Sequence, residues 1–148
     1  MLVDDNPQDV EMTLEALAED NRNYDVVTLR DGAEALDYLF RRGDFASRSE
    51  GYPALVLLDL KMPKVDGMEV LRQLKSDPHL KLVPVVIMTS SREERDVIGC
   101  YQLGANAYVV KPAKFHKFVE LVKHLMEFWM QANEPPPAGR RKIHPATG

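Results

Sequence analysis

The chain has 148 residues, 45% hydrophobic and 28% charged, with a net charge of −4 at pH 7. That length and composition suit one domain with a packed core. The acidic balance excludes a nucleic-acid surface built on bulk positive charge, the single cysteine Cys100 excludes a disulfide framework or a Cys-rich zinc site, and no apolar run approaches the ~20 residues of a membrane span.

The start, MLVDDNPQD, lacks the basic-then-apolar pattern of a signal peptide, so a cytoplasmic protein is expected. Leu2-Val3 reads as a strand stub. Asn6-Pro7 opens a helix, with Asn at the cap, Pro at the first helical position and Asp9 at the capping-box position. Val10, Leu14, Leu17 and Ala18 follow at helical spacing. Tyr24–Leu29 is β-rich, and Asp31-Gly32 starts a second helix carrying Ala35, Leu36, Leu39 and Phe40. A long polar loop leads to a strand at Ala54–Leu58, which runs into Asp59 and the loop KMPKVDG. There Met62-Pro63 stiffens the chain, and Gly67 is expected to adopt a backbone conformation other residues resist. A third helix holds Val70, Leu71 and Leu74 and stops near Asp77-Pro78. Pro84–Met88 is a further buried-strand pattern. A helix through Val97, Ile98, Tyr101 and Leu103 ends at Gly104, Ala107–Val110 is the last strand, and a final helix runs from Phe115 to Met130. Residues 1–131 form the expected domain. Residues 132–148 are Pro-rich and cannot bury a core, so a mobile tail or an arm is expected there.

Five strands alternating with five helices, most strands continuously apolar, specify an α/β fold with a parallel sheet covered on both faces. Ligands of such sheets bind at the carboxyl ends of the strands. Asp4 and Asp5 follow the first strand, Asp59 the third, Thr89, Ser90 and Ser91 the fourth, and Lys111 and Pro112 the fifth. Any one of these residues alone reads most simply as a turn or cap residue. Placed together, three carboxylates need a counterion, and oxygen ligands of this kind suit Mg2+. An added ammonium and hydroxyl make a site for receiving a phosphoryl group on a carboxylate.

VDDNP, LLDLKMPKVDG, VIMTSS and GANAYVVKP, in this order and spacing, resemble the receiver domain of bacterial response regulators over nearly all of residues 2–131. The resemblance implies a flavodoxin-like five-stranded sheet in the order 2-1-3-4-5, the arrangement for which a chemotaxis receiver is a standard example. It implies Asp59 as the phospho-acceptor attacking a phosphohistidine of a sensor histidine kinase. It implies Asp4, Asp5, Asp59 and the backbone carbonyl of Lys61 as Mg2+ ligands, Thr89 and Lys111 as phosphoryl-stabilising groups, Thr89 and Tyr108 as switch residues, and a cis bond between Lys111 and Pro112. Phosphorylation would then alter the face formed by the fourth helix, fifth strand and fifth helix. The long loop before the third strand, with SDPHLKLVPVVIMTSS and CYQLGANAYVVKP, is similar to stand-alone regulators paired with phytochrome-type kinases.

The first strand is shorter than the ~5–6 residues common for strands. No output domain is expected after residue 131, so the output would be binding or onward phosphotransfer. In the last helix Phe115, Phe118, Val119, Val122, Leu125, Met126 and Trp129 can face the core, while Leu121, Phe128 and Met130 fall off that stripe. Those extra apolar side chains could sit singly on the surface, but a homodimer through this helix is the favoured expectation. Arg140, Arg141 and Lys142 read as a solvated tail, and His79, His116, His124 and His144 show no metal-ligand spacing. Neither a nucleic acid nor a membrane is expected as partner. Two rival functions stand beside the receiver. One is a binding module of the same fold that acts without phosphorylation, against which the retained Asp4, Asp5, Asp59, Thr89 and Lys111 argue. The other is an aspartyl-phosphate phosphatase, against which Lys61 argues, because such enzymes place a second Asp there.

Overall fold

The computed structural model describes residues 1–49 and 51–137. Its elements run β1 (Leu2–Val3), α1 (Pro7–Glu19), β2 (Thr28–Leu29), α2 (Gly32–Phe40), β3 (Val56–Leu58), α3 (Gly67–Ser76), β4 (Val85–Thr89), α4 (Glu94–Gln102), β5 (Ala107–Val110) and α5 (Phe115–Glu127). The five strands form one parallel sheet in the order β2-β1-β3-β4-β5, the architecture expected from the alternation.

The two-residue side-chain period of the strands divides the core. Val3, Val56, Leu58, Val85 and Ile87 pack with Leu36, Leu39, Val70, Leu71, Leu74 and Cys100, so α2, α3 and α4 cover one face. Leu2, Leu57, Val86 and Met88 pack with Ala16, Leu17, Phe118, Val122 and Leu125, so α1 and α5 cover the other. Each fully buried aliphatic side chain of this kind contributes on the order of 1.5–3 kcal/mol.

Several boundaries differ from the sequence expectation. β2 is Thr28–Leu29 rather than Tyr24–Leu29, because its neighbour β1 offers only Leu2 and Val3 as partners. The last helix is α-helical to Glu127 and widens into a π turn over Phe128–Ala132. Phe115 at its start is exposed rather than in the core, and on α4 Ile98 and Tyr101 are exposed while Asp96 and Cys100 are buried. Gly104 takes φ 102° just past α4, a left-handed conformation that favours glycine. Residues 138–148, including Arg140, Arg141, Lys142 and His144 of the expected tail, lie outside the described residues.

Two polar devices anchor the helices, one to the sheet and one at a helix start. Lys75 of α3 donates to the carbonyls of Lys81 and Val83 and to Asn106 Oδ1, tying α3 to the starts of β4 and β5. Burial pushes its amine down to about 8. Asp31 caps α2 by accepting the Glu34 N–H at 2.8 Å, and Lys64 Nζ lies 3.3 Å from its other oxygen. The bond from Glu34, against some desolvation and with help from Lys64, holds the Asp31 carboxyl below its ordinary value of 3.8. A depressed carboxyl stabilises the fold above pH 3.8 and loses that contribution as pH falls below it. Asp31→Ala is therefore expected to cost about 1 kcal/mol at neutral pH, as caps do. Urea unfolding at pH 7 and pH 3 should show the gap between variant and wild type narrowing in acid.

Candidate functional site

The sheet ladder continues one residue past β1, β3 and β5 and so locks the backbone of the site. Asp4 N–H donates to the Leu29 carbonyl, Asp59 N–H to that of Val3, and Lys111 N–H to that of Thr89. Three residues far apart in sequence are thus held at one sheet edge by the same hydrogen bonds that build the fold.

Their side chains converge. Asp4, Asp5 and Asp59 each present a carboxylate oxygen, and these atoms lie within 4.8 Å of one another. Asp4 and Asp59 are buried, whereas Asp5 is exposed. One oxygen of Asp4 accepts the Asn6 N–H and one oxygen of Asp59 accepts the Leu60 N–H. The Lys111 ammonium reaches in from β5: Nζ lies 2.8 Å from Asp4 Oδ2, 2.8 Å from Asp9 Oδ2 and 3.4 Å from Asp59 Oδ2. Burial pushes the Asp4 carboxyl up from its ordinary value, and the bond from Lys111 offsets this only in part. Burial alone would lower Lys111, but its hydrogen bonds to Asp4 and Asp9 outweigh that and hold the ammonium well above the ordinary lysine range. Three oxygen donors this close, one of them open to water, fit a hard divalent cation.

Other expected residues lie around this centre. Thr89 ends β4, fully buried, with its hydroxyl accepting the Ser91 N–H at 3.3 Å. The Tyr108 hydroxyl donates to the Ser91 carbonyl at 2.9 Å, and the Ser91 hydroxyl donates to Asp96 on α4. Ser91 thereby joins the end of β4, β5 and α4 through its three polar groups. The hydrogen bond from Ser91 holds the Asp96 carboxyl below its ordinary value. Lys61 Nζ lies 3.6 Å from Asp96 Oδ2.

Two expectations are corrected. There is no cis peptide bond among the described residues, so Lys111–Pro112 is trans. The trans form is the favoured one by about 0.5–1 kcal/mol, and Lys111 reaches the carboxylates with it. Gly67 does not take a left-handed conformation; in its loop that role falls to Lys64, at φ 63°. What Gly67 supplies is absence of a side chain: a Cβ there would stand 2.1 Å from the Asp59 carbonyl oxygen. Its N–H also donates to the Leu60 carbonyl at 2.8 Å, closing the loop onto the acidic residue.

Sequence reading placed Asp9 at a helix-capping position and missed its contact with Lys111. The signal was faint, since the two residues are 102 apart and only the α1–β5 geometry joins them. A groove of about 850 Å³ lined by Asp4, Asp5, Pro7, Val10, Leu14 and Arg30 opens beside the carboxylates along α1.

A doubly wound sheet with paired acidic residues after β1, an aspartate after β3 and a lysine after β5 defines a class, and the chain belongs to it: residues 1–123 match the response regulator receiver domain family. Among relatives, response regulator Rcp1 of Synechocystis sp. is 36% identical over 138 residues, covering 93% of this chain and 92% of that protein. The structure of the phosphorylated cyanobacterial phytochrome response regulator RcpA superposes with a TM-score of 0.87 at 44% identity, covering 91% of this chain and 95% of that one. The bacteriophytochrome response regulator RtBRR is 54% identical with a TM-score of 0.72, covering 93% and 83%. The chain is thus a response regulator receiver domain whose homologues include phytochrome-associated regulators. No helix among the described residues is long and apolar enough to cross a membrane.

Proposed function

We propose that this receiver accepts a phosphoryl group on Asp59 from the phosphohistidine of a sensor histidine kinase, one of phytochrome type, in the cytoplasm. The observation that carries the reading is the buried Lys111 ammonium set 3.4 Å from Asp59 Oδ2, beside a carboxylate trio whose oxygens lie within 4.8 Å. Asp4, Asp5 and Asp59, with the Lys61 carbonyl, would hold Mg2+, which when bound offsets negative charge on the phosphoryl oxygens. A Mn2+-bound structure of the relative Rcp1, at a TM-score of 0.86, supports a divalent ion here.

The chain's own groups then act by position. The ladder bond from Asp59 N–H to Val3 and the Leu60 N–H on Oδ1 hold the acceptor carboxylate in place, so that Oδ2 attacks the phosphorus and the histidine nitrogen leaves. Lys111 and the Thr89 hydroxyl receive the charge delivered to Asp59. The Thr89 hydroxyl accepts the Ser91 N–H and keeps its own proton to donate to a phosphoryl oxygen, so a movement of Thr89 toward Asp59 would pull on Ser91, which also holds Tyr108 and Asp96. A local charge event is thereby passed to α4 and β5. Partner access runs along α1 and its groove. The exposed side chains of Phe115, Phe128 and Met130 support a homodimer through the last helix. The domain is read as residues 1–131, with the Pro-rich segment beyond it.

The test is intact-mass spectrometry after incubation with acetyl phosphate and Mg2+. One phosphoryl adduct is expected on wild type, none in EDTA and none on Asp59→Asn. Absence of an adduct on folded wild type would leave the phosphorylation-independent binding module as the reading, and sustained turnover of a phosphomonoester would favour the phosphatase.

A further inference from the structure

Lys111 is shared among more anions than its expected role requires. Its ammonium carries three N–H donors. Two are spent at 2.8 Å on Asp4 and Asp9, and the acceptor Asp59 is left at 3.4 Å. Asp9 is not an incidental neighbour. Its backbone N–H is fixed by Asn6 Oδ1, its carbonyl accepts the Thr13 hydroxyl at 2.7 Å, and its carboxylate is mostly buried. The first turn of α1 is therefore built to hold a third carboxylate against the lysine, beside Asp4 and Asp59.

We infer that Asp9 is a positioning residue that holds Lys111 in reserve, so that a phosphoryl group on Asp59 competes with it for the ammonium and draws the ammonium away from it. The inference rests on the proposed phosphoryl site. A cation divided among several carboxylates binds each less well, and a charge-assisted hydrogen bond given up on loading is subtracted from the affinity for the new anion. Asp9 thus sets the threshold at which the loaded state forms, and does so from outside the groups that touch the phosphoryl.

The experiment is titration of the protein with beryllofluoride, a phosphoryl mimic, in excess Mg2+. Asp9→Asn should bind on the order of tenfold more tightly than wild type, the equivalent of one charge-assisted hydrogen bond, and Asp9→Glu should return toward wild type. Removing a negative charge could tighten anion binding by simple repulsion, so the same substitution is made in a Lys111→Gln background. There it should change affinity by less than twofold, since the inferred effect runs through the lysine. An unchanged or weaker Asp9→Asn, or an equal gain with Lys111 replaced, overturns the inference. A second reading needs no variant: in a crystal structure of wild type with Mg2+ and beryllofluoride, the 2.8 Å contact from Lys111 to Asp9 should open, and its persistence would overturn the inference. Wild type that binds no beryllofluoride fails the phosphoryl site itself, whereas binding without any Asp9 effect fails only this inference.

Discussion

Gly67→Ala should be among the most damaging single-methyl changes in the molecule. The added Cβ would lie 2.1 Å from the Asp59 carbonyl oxygen and 2.8 Å from Leu60 Cα. Both are backbone atoms, so no rotamer change relieves the clash; the loop or the end of β3 must move. Overpacking commonly costs 1–3 kcal/mol, and a backbone obstacle belongs at or above the upper end, so a loss of about 3 kcal/mol or more is expected. The displacement falls on the residue that carries the proposed chemistry. Phosphorylation by acetyl phosphate should therefore drop even at temperatures where the variant is fully folded. Gly104→Ala is the control. It is strained by φ 102° and meets Lys75 Cγ at 3.2 Å, but it is remote from Asp59 in the fold. It should lose about 1–2 kcal/mol and keep its phosphorylation rate. Urea unfolding and initial phosphorylation rates, compared across the two variants, check the contrast.

Lys111→Met should be comparably severe for a different reason. It leaves Asp4, only 2% exposed, and its neighbours Asp9 and Asp59 without their shared cation. Breaking a buried ion pair on one side costs about 3–5 kcal/mol, and the lower figure is expected because Asp5 and the groove keep the cluster near water. The pH dependence has a definite sign. In wild type the lysine's folded value is raised, so its contribution is complete below its ordinary 10.5 and is lost as pH climbs above that. The Asp4 carboxyl is also raised, so its ionisation works against the fold as pH rises past the ordinary 3.8. Without Lys111 that penalty grows. The variant should therefore regain stability relative to wild type as pH is lowered from 7.5 towards 5, and Mg2+ in excess should raise its melting temperature more than wild type's. Thermal melts across that range with EDTA or Mg2+ measure both. Equal pH slopes in the two proteins would show that the lysine does not govern the cluster.

The strand-end placement of Asp4, Asp5, Asp59, Thr89 and Lys111 was legible because α/β alternation is written in apolar runs, and parallel strands bring their ends to one edge. Ala107–Val110 is a strand as read, and Phe115 does begin the last helix. What local pattern could not supply was anything decided by a distant neighbour. β2 is cut to two residues by the length of β1, not by its own sequence. Asp9 meets Lys111 through helix placement alone. Gly67 was rightly singled out for the wrong reason, since lack of a Cβ matters through the Asp59 backbone rather than through φ. Ile98, Tyr101 and Phe115 fit helical periodicity, yet they face outwards because among the described residues no second element covers that side.

The sheet is unevenly fastened. β4 pairs over three positions with β3 and four with β5, whereas β1, second from one edge, holds each neighbour over only two. Amide exchange should accordingly be fastest across β1 and β2, which open before the β3-β4-β5 block. Asp4 and Asp5 hang from the loose strand, Asp59 and Lys111 from the firm ones. The proposed ion or phosphoryl group, bridging those residues, would act as a stitch across the seam. Loading the site would then slow exchange most in β1 and β2, so that the signalling state is also the mechanically closed one.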